Sequence, residues 1–521
     1  MNYRLLSRTL GIICVLFAAT MLFSLPWAFP QLGFRKDVFL ENPEFEWGGF
    51  VALFFSSLIS AVSGTLLMWL GRGGKGQPLF RKEAMATVGL SWILATVLGA
   101  LPYLLSGTMV NATTRMTIVD ALFEAQSGFS TTGATVLTDL ESPDLVPHCI
   151  LFWRSSTHFL GGLGIVVLLV AILGQGARGK AMMRAEITGP TKESHFSRMQ
   201  QTAGVFASIY VLLNLVLAII YWISGMSLFD ALCHAFATMA TGGFSTYNAS
   251  LGHFGSAWIE YITIVFMILA GTNFALLAFV ASGRADRLWN DTEWRVYLAI
   301  IIIVSSAVIS FGIVTQDFNN FEEALRNSLF QVVSVMTTTG YGTDDYDLWN
   351  NFGRGVLILL MFVGGCAGST GGGMKVIRHV LLAKILRLEL ELSYRPKVVR
   401  PLRIGGVAID DNELRKHILV YFGLVSAIFA SSWLVLITIE PDRQWISGTS
   451  TVLDHKLLDC ASAIAATLHN IGPGYGVVGP TANYQGFAPW SKMLFVFLMM
   501  LGRLEMFSIL VLFVPGFWRK I

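Results

Sequence analysis

Charged side chains are scarce in this sequence. Asp, Glu, Lys and Arg make up 13% of its 521 residues, whereas apolar residues make up 54%. A soluble domain usually carries about 25% charged residues, so too few are present here to wet the surface of a globule. Apolar runs long enough to cross a bilayer, about 20 residues each, recur from end to end. The composition therefore predicts an all-α polytopic membrane protein that sits in a lipid bilayer.

Cysteine pairs, acid–base clusters and nucleotide-binding motifs are also missing. The five cysteines lie far apart and none forms a CxxC pair, which argues against a zinc site or a disulfide scaffold. A membrane-embedded enzyme is the rival class, but it needs His, Asp or Glu clustered at one membrane face, and the sequence has no such cluster. We therefore expect no enzymatic activity, no organic cofactor and no nucleic-acid partner.

Ten apolar segments are candidate membrane spans. Basic residues concentrate in every second connection, around residues 72–82, 178–198 and 375–416, and this pattern places those connections in the cytoplasm. The alternate connections are acidic, as at Glu41 and Glu44, so both termini are predicted to be cytoplasmic. We interpret the first segment as a retained helix, with a cleaved secretory signal as the alternative. The ten segments are residues 9–29, 48–70, 84–105, 149–173, 203–223, 257–281, 296–315, 352–390 (interrupted), 416–438 and 490–515.

Four shorter apolar segments each end in a glycine-rich strip. The segments, at about 118–130, 227–239, 322–337 and 457–468, are too short to cross the hydrocarbon core and are predicted to be re-entrant half-helices. We name the strips glycine strips 1 to 4: residues 131–135 (TTGAT), 241–245 (TGGFS), 338–342 (TTGYG) and 470–474 (NIGPG). The order span, short helix, strip, span therefore occurs four times. The predicted repeats are 76–180, 181–288, 289–395 (with a broken second helix) and 396–521, after an N-terminal hairpin over 1–75.

Four strips around one axis predict a pore lined by backbone carbonyls. Several carbonyl oxygens can replace the water shell of a cation, as in K⁺ channels with four TVGYG loops, and strip 3 differs from that string in one residue. The C-terminal end of each half-helix would add a partial negative charge. The alternative, that the strips are ordinary loops, explains a single strip better than four in register. The predicted filter residues are Thr131, Thr132, Gly133, Thr241, Gly242, Gly243, Thr338, Thr339, Gly340, Tyr341, Asn470, Ile471 and Gly472.

This four-repeat pattern resembles the Trk/Ktr/HKT superfamily of potassium transporters. With its N-terminal hairpin, the chain looks most like the bacterial TrkH/TrkG membrane subunit. The resemblance implies K⁺ uptake across the bacterial inner membrane, with K⁺ bound in the filter as the only bound species. It also implies a cytosolic nucleotide-binding regulatory subunit of the TrkA type, and a homodimer in which each protomer has its own pore.

The resemblance leaves the transported ion and the energy coupling open. Plant relatives that prefer Na⁺ carry serine at the first central glycine, so Gly133 favours K⁺. An uptake system for Na⁺, or for both ions, with the same fold is the alternative. Channel and ion-coupled symport also both stay open. Strip 4 departs most from the pattern, with Asn470, Ile471 and Pro473, so we expect a less symmetric filter than in a tetrameric channel.

The eighth span is interrupted by the run GGCAGSTGGGMK at residues 364–375. Six glycines in these twelve residues favour a loop within the membrane, because each glycine disfavours a helix by about 1 kcal/mol. The GxxxxGK[ST] spacing of a phosphate-binding loop is not met. The resemblance instead implies a gating loop below the filter. The predicted gate residues are Gly364, Gly365, Gly368, Gly371, Gly372, Gly373, Lys375 and Arg503.

Two of these gate candidates are basic and have alternative roles. Arg503 lies in the last span, where a charge is costly and by default functional. It either faces the pore and repels cations or binds a carboxylate or loop carbonyls to hold helices together. Lys375 is a gate candidate or simply the first cytoplasmic charge.

Polar residues in or near the short helices are further candidates. They either concentrate cations at the pore mouth or have capping and loop roles. These residues are Asp120, Glu124, Asp230, Asp459 and His469. Two other histidines, His158 and His234, are predicted to be packed rather than to bind a ligand.

Overall fold

The computed structural model describes residues 1–29, 32, 45–74, 80–173, 199–396, 402–404, 407–409, 412–445 and 455–519, with side chains omitted at 81, 165–173, 199–202, 402–413. The predicted basic connection at 178–198 and the acidic Glu41 and Glu44 lie outside these residues. So do the predicted repeat boundaries near residues 75 and 180.

The described chain is almost entirely helical. Its two strand pairs are short antiparallel hairpins, β1 (Met109–Asn111) with β2 (Thr114–Arg115) and β3 (Leu402–Ile404) with β4 (Val407–Ile409). The predicted all-α membrane fold class is confirmed. The helices are α1 (Tyr3–Leu22), α2 (Trp47–Leu70), α3 (Arg81–Ser106), α4 (Ile118–Phe129), α5 (His148–Leu173), α6 (Met199–Ile223), α7 (Leu228–Met239), α8 (Ala257–Ala270), α9 (Phe274–Ala281), α10 (Asp286–Asn290), α11 (Thr292–Val314), α12 (Phe321–Met336), α13 (Asn351–Leu360), α14 (Val376–Tyr394), α15 (Asn412–Ile439), α16 (Lys456–Leu468), α17 (Pro489–Arg503), α18 (Phe507–Leu510) and α19 (Pro515–Trp518).

Six helices in the described part of the chain are long and apolar enough to cross a membrane. They lie in α1, α2, α3, α6, α11 and α15, and α1 and α2 pack closely as the N-terminal hairpin. A Cβ atom on Gly11 of α1 would stand only 2.6 Å from the carbonyl oxygen of Gly64 in α2. Two bent helix pairs, α8–α9 and α17–α18, raise the possible number of spans to eight. The sequence predicts these two segments as continuous, whereas the structure bends each of them sharply.

The first break separates α8 from α9, which meet at 104°. Asn273 caps α9 by accepting a hydrogen bond from the Ala275 N–H at 2.8 Å. The bend frees the Gly271 carbonyl, which accepts from the Cys366 N–H at 2.9 Å. The segment predicted as one span over 257–281 is therefore sharply bent, a feature that apolar composition does not reveal because it involves a carbonyl used by a distant loop.

The second break separates α17 from α18 at 116°. Glu505 and Met506 have φ angles of +51° and +66°, a left-handed conformation that residues with side chains rarely adopt. Arg503 is therefore the last residue of its helix rather than a residue inside a continuous span over 490–515.

The four short helices predicted from the sequence are α4, α7, α12 and α16. Their observed bounds differ from the predicted ones by at most one residue at each end. Side chains cap the first three: the Thr117 hydroxyl accepts from the Asp120 N–H at 3.2 Å, Ser227 from Asp230 at 3.0 Å and Asn320 from Glu323 at 2.9 Å. Asp120 and Asp230 therefore fit the capping alternative, because the carboxylate of each lies in the first turn of its helix.

Candidate functional site

All four glycine strips have the same backbone conformation. Each short helix ends in two hydrogen bonds: the N–H of the first strip residue reaches the carbonyl three positions back, and the N–H of the second reaches the carbonyl five positions back. The second bonds are 2.9, 2.8, 2.8 and 2.8 Å long in strips 1 to 4. The first strip residue is left-handed in every case, with φ of +52° at Thr131, +54° at Thr241, +59° at Thr338 and +57° at Asn470.

Three of these left-handed residues are threonines, which is unusual. A β-branched residue with positive φ is an outlier, and such a conformation costs on the order of 1–3 kcal/mol and tends to occur at functional sites. Strain of the same kind at the same position in three repeats indicates that the strips are shaped for something other than stability.

The strips close into one ring. The central glycine of each strip lies so near the second residue of the next strip that a Cβ atom would overlap that residue's carbonyl oxygen. Each central glycine also has a positive φ, between +75° and +99°. The contacts run from Gly133 to Gly242, from Gly243 to Thr339, from Gly340 to Ile471 and from Gly472 back to Thr132. Glycine is therefore required at all four central positions, both by space and by backbone conformation.

The carbonyl oxygens at the second position of the strips are buried and free of protein donors. The residues that carry them are themselves buried, yet within the described part of the chain none of these four oxygens accepts a hydrogen bond. Buried backbone carbonyls almost always have a partner. Four without one, on the same ring, are suitable ligands for a dehydrated cation. They belong to Thr132, Gly242, Thr339 and Ile471.

A cavity reaches the ring from one side. It is lined by the four central glycines and by residues that follow the strips, among them Arg154, Asn248 and Tyr484. No carboxylate is part of the described lining. The cavity therefore opens onto the ring, and the described part of its wall carries no fixed negative charge.

Two predicted filter residues have side-chain roles that the sequence did not show. The Tyr341 hydroxyl donates to the His234 carbonyl at 3.1 Å, and its own carbonyl accepts from the Ser334 hydroxyl at 2.8 Å. The Tyr341 side chain therefore lies behind strip 3, and the Tyr341 carbonyl already accepts a hydrogen bond. The Asn470 amide donates to the Thr132 hydroxyl at 3.0 Å, which links strip 4 to strip 1.

The predicted gate residues between Gly364 and Lys375 form an irregular segment, the glycine loop (residues 364–375). It lies against the residues that begin the strips, at the opposite end from the cavity. The Gly372 N–H donates to the Thr338 hydroxyl at 2.7 Å, and the Thr370 hydroxyl donates to the Met239 carbonyl at 2.9 Å. This loop therefore lies directly against the ring.

Buried charges hold the glycine loop in place. Glu293 accepts from the Ala367 N–H at 2.8 Å and from the Ile377 N–H at 3.0 Å, so one carboxylate joins the loop to the start of α14. The Lys375 ammonium is 7% exposed and donates to the carbonyls of Gly371 and Gly372. The Lys375 ammonium is therefore buried against the loop and bound to it.

Arg503 binds the same loop. Its guanidinium is buried and donates to the Thr370 carbonyl at 2.6 Å and to the Gly161 carbonyl of α5 at 3.0 Å. These contacts match the alternative in which Arg503 holds loop carbonyls, and they also place a positive charge beside the ring. Two residues later, Glu505 forms an ion pair with Arg378 of α14, whose guanidinium stacks over the Tyr421 ring at 4.0 Å.

The acidic candidates are buried in the protein and have partners. Asp120 pairs with Lys492 at 2.6 Å and Glu124 pairs with Arg154 at 2.6 Å. Asp230 accepts from the Thr246 hydroxyl, Asp459 from the Trp445 indole, and His469 contacts the Ala465 carbonyl. The residues that the sequence reasoning missed are Arg154 and Lys492. Both lie inside apolar candidate spans, where a charge is itself a signal.

The fold defines a multi-pass helical membrane protein, and its ring of carbonyl oxygens has the chemistry to bind a cation. The profile of the TrkH family, described as a cation transport protein, matches residues 51–520, and the chain belongs to this family.

Similar proteins cover all or most of the chain. The Trk system potassium uptake protein TrkH of Escherichia coli K12 is 36% identical over 526 residues, with complete coverage of both chains. The protein TrkG of the same organism is 31% identical over 87% of this chain and 88% of its own. The crystal structure of the potassium transporter TrkH from Vibrio parahaemolyticus superposes with a TM-score of 0.83 at 31% identity, again over both full chains. The predicted resemblance is confirmed.

Proposed function

We propose that this chain is the pore-forming membrane subunit of a Trk-type K⁺ uptake system. The observation that carries the proposal is the ring of four buried carbonyl oxygens without donors, at Thr132, Gly242, Thr339 and Ile471. Such oxygens suit a cation that has lost its water shell. The names of the similar proteins, which are potassium uptake proteins, favour K⁺ as that cation.

In this proposal the glycine loop and two basic residues form the gate. Lys375 and Arg503 bring two buried positive charges to the same end of the ring, and both are bound to loop carbonyls. A like charge repels a cation strongly where little water screens it, by about 4 kcal/mol at 4 Å for an effective dielectric constant near 20. A cation leaves the ring on this side only when the loop moves away and takes these charges with it.

The remaining parts of the proposal concern partners and energy. The chain has no ATP-binding motif, so the membrane potential, about 2.3 kcal/mol per charge per 100 mV, or a coupled ion drives uptake. We place the protein in the bacterial inner membrane as a homodimer with both termini in the cytoplasm. A cytosolic nucleotide-binding subunit of the TrkA type then moves the gate. The four repeats and the N-terminal hairpin serve as structural units of each protomer.

Uptake of a Rb⁺ tracer into proteoliposomes, with K⁺, Na⁺ and Li⁺ as competitors, tests this function. We expect K⁺ to compete at much lower concentration than Na⁺ or Li⁺. Equal competition by Na⁺ would favour the alternative, a Na⁺ or mixed Na⁺/K⁺ uptake system of the same fold. Repeating the assay at one fixed membrane potential, with and without an imposed H⁺ or Na⁺ gradient, separates a channel from a symporter, because only a symporter changes its final Rb⁺ accumulation with the gradient of a coupled ion.

A further inference from the structure

A buried ion pair joins short helix α4 to the outer ends of glycine strips 1 and 2. The Arg154 Nε donates to Glu124 at 2.6 Å, and the two side chains are 2% and 0% exposed. The Glu124 carboxylate also accepts from the Thr135 hydroxyl at 2.9 Å and from the Val136 N–H at 3.1 Å. The second arm of Arg154 donates to the Ser245 carbonyl at 2.9 Å. One pair of charges thus contacts the last residue of two neighbouring strips.

The helix that carries Arg154 also supports the inner part of strip 2. The Arg154 guanidinium lies 3.4 Å from the centre of the Phe244 ring, and His158, one turn further along α5, stacks on the same ring at 4.0 Å. A Cβ atom on Gly242 would overlap the His158 ring. Since Gly242 carries one of the four free carbonyls, a shift of Arg154 is transmitted to the ring itself.

The equivalent position in each repeat uses different chemistry. The residue seven positions before the first strip residue is Glu124, His234, Gln331 and Ala463 in repeats 1 to 4. The His234 ring bonds the Ser245 hydroxyl at 2.9 Å, and the Gln331 amide reaches the Asp344 carbonyl at 3.4 Å. This position therefore bonds the end of the strip in repeats 1 and 2 and a residue two positions beyond the strip in repeat 3, and repeat 1 uses a full charge pair.

We propose that Glu124 and Arg154 form a brace that sets ion selectivity by positioning strips 1 and 2; this role rests on the proposed K⁺ function. Its bonds to the Thr135 hydroxyl and to the Ser245 carbonyl distinguish this pair from a buried pair that only holds helices together. Arg154 also lines the cavity that leads to the ring. Its charge is balanced by Glu124, so the brace does not repel the arriving cation. Neither residue binds the ion.

Two variants loosen the brace without leaving a buried charge unpaired. Arg154→Lys keeps the charge but lacks the planar fork that reaches both Glu124 and the Ser245 carbonyl. Thr135→Val keeps the side-chain shape and removes the hydroxyl that bonds Glu124. The readout is the ratio of the Na⁺ and K⁺ concentrations that halve Rb⁺ tracer uptake. We expect this ratio to fall about tenfold in Arg154→Lys and about threefold in Thr135→Val, as a lost charged or neutral hydrogen bond implies.

The matched control is the other buried ion pair of the same short helix. Asp120 and Lys492 are 2.6 Å apart and each side chain is 8% exposed, but neither bonds a glycine strip. Asp120→Asn should lower thermal stability in detergent at least as much as Thr135→Val does, while the selectivity ratio stays within about twofold of the wild type.

Each outcome decides the proposal. A wild-type ratio in both brace variants overturns it, as does an equal fall in Asp120→Asn, because any disturbance of α4 would then suffice. If either variant is absent from the membrane, the other decides. Wild-type protein whose Rb⁺ uptake K⁺ does not inhibit would instead refute the proposed function itself, and this result is visible before any variant is compared.

Discussion

Gly243→Ala should disrupt the ring far more than it disrupts the fold. Gly243 has a φ of +75°, and its Cβ position overlaps the Thr339 carbonyl oxygen of the next strip. The left-handed backbone alone costs alanine roughly 1–2 kcal/mol. The overlap further pushes the Thr339 carbonyl away by about 1 Å to restore van der Waals separation. A displacement of about 1 Å in a preorganised site can cost about 100-fold in rate, so we expect K⁺-competed Rb⁺ uptake to fall by that order.

Gly107→Ala is the matched control, because it isolates the backbone contribution. Gly107 has a nearly identical φ of +72°, but no atom lies within 4 Å of its Cβ position. This variant should lose roughly 1–2 kcal/mol of stability, seen as a lower melting temperature in detergent, with transport per folded molecule unchanged. The reasoning fails if Gly243→Ala transports K⁺ like the wild type, or if Gly107→Ala loses as much uptake as Gly243→Ala.

Further predictions concern the gate, and basal Rb⁺ flux without a regulatory partner checks them all. Arg503→Ala removes a buried positive charge and its bond to the Thr370 carbonyl, so basal flux should rise about tenfold or more. Deletion of one glycine from residues 371–373 should also raise basal flux. Unchanged flux in both variants would contradict the gate. Lys375→Met should raise flux in the same direction, because the loop carbonyls it binds are then free to move. Glu505→Gln should weaken the ion pair with Arg378, which holds the bent last helix against α14. Basal flux should therefore rise, while the ratio of the Na⁺ and K⁺ concentrations that halve Rb⁺ uptake stays unchanged. A changed ratio with unchanged flux would refute this role.

The strips and their helices could be predicted because their signals are local. A central glycine follows each of four apolar segments that are too short to cross a bilayer. The length of these segments and their spacing can be read directly from the sequence. The four glycines are Gly133, Gly243, Gly340 and Gly472. The structure adds why glycine is needed, since each one lies against a carbonyl of the following strip. That reason involves residues from 96 to 340 positions apart, so no local pattern contains it.

The helix breaks and the buried pairs were not predictable in the same way. The apolar run at 257–281 looks continuous, yet it bends because the Gly271 carbonyl serves the glycine loop. Likewise, Glu124 was a candidate for the pore mouth, whereas its ion pair with Arg154 holds it in the packed interior behind the strips. In both cases the cause is a tertiary hydrogen bond, which overrides what composition and period indicate.

The ring is formed by a single chain, so its four strips can differ in sequence, which the strips of a ring of identical subunits cannot do. In a homotetramer a single codon change alters all four ligands at once. Here the second strip residues are already four separate choices, Thr132, Gly242, Thr339 and Ile471, and each can be altered alone. Under the proposed function, ion preference can therefore be adjusted at one strip at a time, in small steps, while the other three strips keep the site intact.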